Sequence, residues 1–166
     1  MNPLKVYVAS SWRNDDQPAV VKLCREIGFE VYDFKNPPNR TGFSWSQIDP
    51  NWKNWTIDEY LNALQTPLAV EGFDSDMNAL IECDICILVF PAGVSAAMEF
   101  GQAVGAGKYT FVIGIPRGAD LMVRMGDHYC RNMEELKIRL KRLFQANLVA
   151  QQMVADEKAE EAAHRQ

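Results

Sequence analysis

Residues 85–108, ICILVFPAGVSAAMEFGQAVGAGK, constrain the fold more than any other stretch of the chain. Ile85–Phe90 is apolar without alternation, the pattern of a strand covered on both faces. Pro91–Val94 reads as a turn, and the spacing beyond it predicts a helix from Ser95 to about Ala106. Between Gly93 and Gly107 only Ser95, Glu99 and Gln102 carry polar side chains. A helix without a polar face is normally buried, so Glu99 is expected in or near the first turn of a helix with no solvated side. Two readings of that carboxylate stand. A first-turn Glu gains about 0.3–1 kcal/mol from the helix dipole. A carboxylate held in a buried place at a cost of several kcal/mol is kept there for chemistry. Ligands of open parallel sheets sit beyond the carboxyl ends of the strands, and Glu99 follows such an end.

The rest of the chain supplies partners for this unit. Leu4–Ala9 is a short β-rich run, followed by the polar turn Ser10–Asn14. A helical pattern begins at Pro18, runs through Val20, Val21, Leu23, Cys24 and Ile27, and stops at Gly28. Phe29–Phe34 reads as a second strand. Ile57–Leu64 is a short helix ended by Pro67, and Asp74 and Ser75 are N-cap candidates for a helix reaching Glu82. That reading places Asp76 in a first turn. Tyr109–Ile115 is a strand, Pro116–Asp127 a loop, and Asp127–Cys130 a short edge strand. From Met133 a long amphipathic helix repeats apolar residues at Leu136, Leu140, Leu143, Phe144 and Leu148, with a polar end expected to fray. Strand and helix alternate, which predicts an α/β fold: a single-domain, flavodoxin/Rossmann-like three-layer sandwich over residues 1–166, with a mostly parallel sheet of about five strands.

One segment departs from this rhythm. Residues 35–56 contain Pro37, Pro38, Gly42 and Pro50 together with Phe43, Trp45, Trp52 and Trp55. So long a loop is usually functional or disordered, and its aromatic content speaks against disorder. It is read either as a satellite cluster packed on the core or as a lid that offers a ring such as Trp45 to a planar ligand.

A net charge of −5 gives no sign of the basic surface that binding a nucleic-acid polymer usually needs. No apolar run approaches a membrane span, and the N-terminus starts directly on a strand, so the expected location is the cytoplasm. Cys83 and Cys86 have C-x-x-C spacing but no second pair, and with Cys24 and Cys130 they read as buried structural thiols. No metal or other cofactor is expected. In the strand order 2-1-3-4-5, the turn Ser10–Asn14 and the turn Pro91–Ser95 face each other at the switch point. Helix-start N–H groups with Ser10, Ser11 and Arg13 there would suit an anion, although neither G-x-G-x-x-G nor GK[ST] occurs.

Three blocks carry a resemblance: VYVASSWRN (Val6–Asn14), FDSDMNALIECDICILV (Phe73–Val89) and GVSAAMEFGQAVGAGKYTFVI (Gly93–Ile113). Across about the first 115 residues the chain resembles the nucleoside 2-deoxyribosyltransferase family, which includes N-glycosidases of deoxynucleoside monophosphates. The resemblance implies cleavage of the N-glycosidic bond of a nucleoside or nucleoside 5′-monophosphate, with transfer of the (deoxy)ribosyl group to another base or to water. Glu99 would be the nucleophile, Tyr7 the hydroxyl that orients it, and Asp76 the group that binds or protonates the leaving base. The transferases carry a second Asp six residues before the Glu, where this chain has Gly93. Ser95, with Ser10, Ser11 and Arg13, is closer to the monophosphate hydrolases. A homo-oligomer, dimer or higher, is implied as well. The competing reading is a non-catalytic nucleotide-binding module of the same fold. Hydrolysis of a nicotinamide dinucleotide ranks below both, since no feature calls for a dinucleotide.

Overall fold

The computed structural model describes residues 3–38, 41–116 and 118–164. Asn39 and Arg40 of the aromatic segment, Arg117, and both ends of the 1–166 domain lie outside the described residues. The strands are β1 (Lys5–Ser10), β2 (Glu30–Tyr32), β3 (Ile85–Val89), β4 (Tyr109–Ile113) and β5 (His128–Cys130). The helices are α1 (Gln17–Ile27), α2 (Ile57–Leu64), α3 (Pro67–Glu82), α4 (Val94–Gly105) and α5 (Met133–Ala163). All strand pairs are parallel, in the order β2-β1-β3-β4-β5. This is the expected α/β sheet with its switch point between β1 and β3.

Alternation along the strands divides the core between two helical layers. Val6, Val8, Ile85, Ile87 and Phe111 face α1 and α5, where Val20, Val21, Cys24, Leu136 and Leu140 complete the packing. Tyr7, Ala9, Cys86, Leu88 and Val112 face the other way, toward Leu80 of α3 and Ala96, Phe100 and Ala103 of α4. The four cysteines are free and buried. At the end of α1, Gly28 adopts φ +114, and an added Cβ would meet the Phe144 ring of α5 at 2.9 Å. No helix among the described residues is long and apolar enough to cross a membrane.

Three expectations are corrected. The helix before β3 does not begin at Asp74 or Ser75. It begins at Pro67, with Thr66 as N-cap accepting from the Ala69 amide at 3.4 Å. Proline at the first helical position needs no amide partner, so Pro67 starts this helix as well as barring α2 from continuing. Asp76 is therefore deep in α3, away from the helix dipole's positive end. Glu99, expected in or near the first turn of α4, lies at the start of the second; the first turn holds no acidic residue. Finally, α4 does have a solvent face, and that face is apolar: Val94 and Met98 are 78% and 71% exposed. The last turns of α5, expected to fray, are helical to Ala163.

Candidate active site

Two turns meet at the carboxyl ends of β1 and β3. The Ser10 hydroxyl donates to the Val89 carbonyl at 2.8 Å. The buried Asn14 amide donates to the Val89 and Pro91 carbonyls at 3.1 and 3.2 Å. Asn14 is thus the tie between the turns, a role its position in a polar turn does not announce. Beside it, the Ser11 hydroxyl accepts from the Arg13 amide at 3.3 Å, and the Arg13 side chain is exposed. On the facing side Gly93 is the N-cap of α4, and a Cβ there would meet nothing within 4 Å. Ser95, exposed, stands one helical turn before Glu99 on the same side of α4.

Below these turns lies a cluster of acidic and phenolic groups. Tyr7 comes from β1, Tyr32 from β2, Ser75 and Asp76 from α3, and Glu99 from α4. In the parallel register Tyr7 is the direct neighbour of Tyr32, and their rings stack at 5.6 Å with 13° between planes. The Tyr32 hydroxyl donates to Asp76 Oδ1 at 2.7 Å and lies 2.9 Å from Ser75 Oγ. Tyr32 therefore aims the Asp76 carboxylate. The sequence does not mark it, because FEVYDF reads only as a strand.

Burial pushes the Glu99 carboxyl up to about 7, the charge of Asp76 pushes in the same direction, and the Tyr7 hydroxyl opposes them. Tyr7 is itself driven far above the usual phenol range, first by burial and then by the Glu99 and Asp76 charges. The Tyr7 hydroxyl is buried with no partner of ordinary hydrogen-bond geometry among the described residues, and Glu99 is the carboxyl on which it acts. The three residues of the expected catalytic set thus share one electrostatic environment. A carboxyl balanced near neutrality beside a second carboxylate suits acid–base or nucleophilic chemistry. No group of three or more His, Cys, Asp or Glu among the described residues could hold a metal ion.

Trp45 is held by its own aromatic segment. It sits inside a cluster with Phe43, Trp55 and Tyr60, at ring distances of 4.8, 5.7 and 5.8 Å. The Trp55 indole donates to Asp49 at 2.6 Å. Phe43 packs against Gly72 of α3, where an added Cβ would meet it at 3.1 Å. Gly72 is one turn before Asp76, so the cluster flanks the acidic group through Phe43, as a packed satellite.

No protein-family model matches the chain, and no curated protein matches it in sequence. Among solved structures it is similar to a 2-deoxyribosyltransferase from the psychrotolerant bacterium Bacillus psychrosaccharolyticus, with a TM-score of 0.51 and 16% identity over 80% of this chain and 90% of that one. It also matches a Clostridium botulinum CMP N-glycosidase, with a TM-score of 0.48 and 17% identity over 84% of this chain and 97% of that one. The first similarity identifies the architecture: this chain has the fold of a 2-deoxyribosyltransferase.

Proposed function

We propose that the protein cleaves the N-glycosidic bond of a nucleoside or nucleoside 5′-monophosphate, with Glu99 as nucleophile. The observation that carries this reading is the pairing of a partly buried Glu99 with Asp76 and Tyr7 beside the switch point of the sheet. In the first step a Glu99 oxygen bonds to the anomeric carbon as the bond from that carbon to the base nitrogen breaks. The bonding pair leaves with the base, and Asp76, held by Tyr32, hydrogen-bonds or protonates it. The oxocarbenium-like state between them is stabilised by the Glu99 charge and collapses to a glycosyl ester. Water or a second base then attacks the anomeric carbon and frees Glu99. Tyr7 is the hydroxyl that orients the Glu99 carboxylate.

A 5′-phosphate would bind across the two turns. Ser11, Arg13 and Ser95 supply side-chain donors, and the first amides of α4 supply backbone ones. Ser10 holds the turn in place, since its proton is given to Val89. Gly93, open to its surroundings, lets a ligand approach the helix start.

Chromatography of products from a panel of ribo- and deoxynucleosides and their 5′-monophosphates, with and without a second free base, tests this. Free base released from monophosphates without an acceptor is the expected result. New nucleoside formed only with an acceptor base would make the protein a transferase. No product from any member of the panel would leave the nucleotide-binding module as the reading.

A further inference from the structure

Helix α5 is much longer than the surface it covers. Leu136 and Leu140 are fully buried, and Phe144 meets Phe29 edge-on at 5.2 Å. Beyond Phe144, residues 145–163 continue the helix for about 28 Å, and none of them is buried. This stretch exposes Val149 and Met153, at 60% and 59%.

The exposed residues have an order. Taking about 100° per residue, Ala146, Val149, Ala150 and Met153 share one face of the helix. Followed back toward the domain, the same face carries Arg142 and Arg139. Followed outward, it carries Glu157 and Glu160. All of these fall within about 60° of one line along the helix. Between Arg139 and Glu160 the face reads basic, apolar, acidic; Glu135, one turn before Arg139 on the same line, is held by it.

A two-fold axis passing between Val149 and Ala150 maps this face onto itself with the charges reversed. Arg142 then faces Glu157, and Arg139 faces Glu160. Ala146 meets Met153, small against large, and Val149 meets Ala150. A parallel pair would instead set arginine against arginine and glutamate against glutamate. Arg139 already holds Glu135 within its own helix at 2.9 Å, which fixes its guanidinium on this side.

We propose that two copies of this chain pair antiparallel through this face of α5, forming a homodimer with an isologous interface. The occupant is a second copy because the complement of the charge pattern is the pattern itself, reversed.

Sedimentation equilibrium of the full chain at low salt tests it, with far-UV circular dichroism confirming that each variant is folded. The parent is expected to be dimeric, and Val149→Glu with Met153→Glu is expected to be monomeric. Arg142→Glu alone and Glu157→Arg alone should each weaken association roughly tenfold or more, by placing like charges face to face. The combined Arg142→Glu and Glu157→Arg chain should recover the parent's association. A monomeric parent, a parent mass retained by the Val149 and Met153 variant, or no recovery in the charge-swapped chain would each overturn the proposal.

Discussion

At the scale of the residue, the chemistry rests on how Glu99 holds its proton. Its carboxyl lies at about 7, raised by burial and by the Asp76 charge, and a nucleophile must be ionised. The free enzyme's kcat/KM should therefore rise with pH through about 7. Asp76→Asn removes a neighbouring negative charge, so the normalised acid limb should move to lower pH. A pH–rate profile for both proteins measures this, and an unmoved limb would separate the two carboxylates electrostatically. Glu99 itself was visible in the sequence, because a carboxylate in so apolar a stretch demands a reason. Tyr32 was not, since its value comes from lying in register with Tyr7 and within reach of Asp76, and both depend on tertiary placement. The buried Asn14 was hidden for the same reason, its two acceptors being carbonyls more than seventy residues away.

At the scale of the element, the strands and most helices were legible because hydrophobic period and turn residues agreed. The start of α3 was not. Thr66-Pro67 is a capping signal, yet Pro67 also closes the preceding helix, and one residue serving both purposes hides the start. The aromatic segment shows the converse difficulty: its composition announces a folded unit without saying what it packs on. It is fastened to the first turn through Gly42, where an added Cβ would meet the Trp12 ring at 2.5 Å and the Phe34 carbonyl at 2.6 Å. Trp12 in turn meets Phe34 edge-on at 5.5 Å. Gly42→Ala should thus destabilise the protein by about 1–3 kcal/mol, the usual effect of overpacking. Urea unfolding would read it as a lowered midpoint, whereas an unchanged midpoint would mean that the segment is not fastened there.

At the scale of the whole molecule, a parallel sheet of five strands places α3 and α4 side by side on one face, and that arrangement brings Asp76 and Glu99 together. Such a pairing has a stability consequence. A carboxyl whose folded value lies near 7 instead of 4.5 binds its proton more tightly when folded, so stability falls as pH rises across that interval. Glu99→Gln removes the effect. The variant should gain up to about 3 kcal/mol over the parent at pH above the interval, by the linkage of 1.36 kcal/mol per unit, and gain little below it. Thermal unfolding at the two extremes measures this, and equal gains at both would assign the change to packing. The most direct measurement uses the same variant: release of free base by parent and Glu99→Gln under identical conditions, on whichever nucleotide of the panel the parent consumes. If Glu99 forms the glycosyl ester, turnover should drop on the order of a thousandfold or more while the substrate still binds. Equal turnover in the two proteins would contradict Glu99 as the nucleophile.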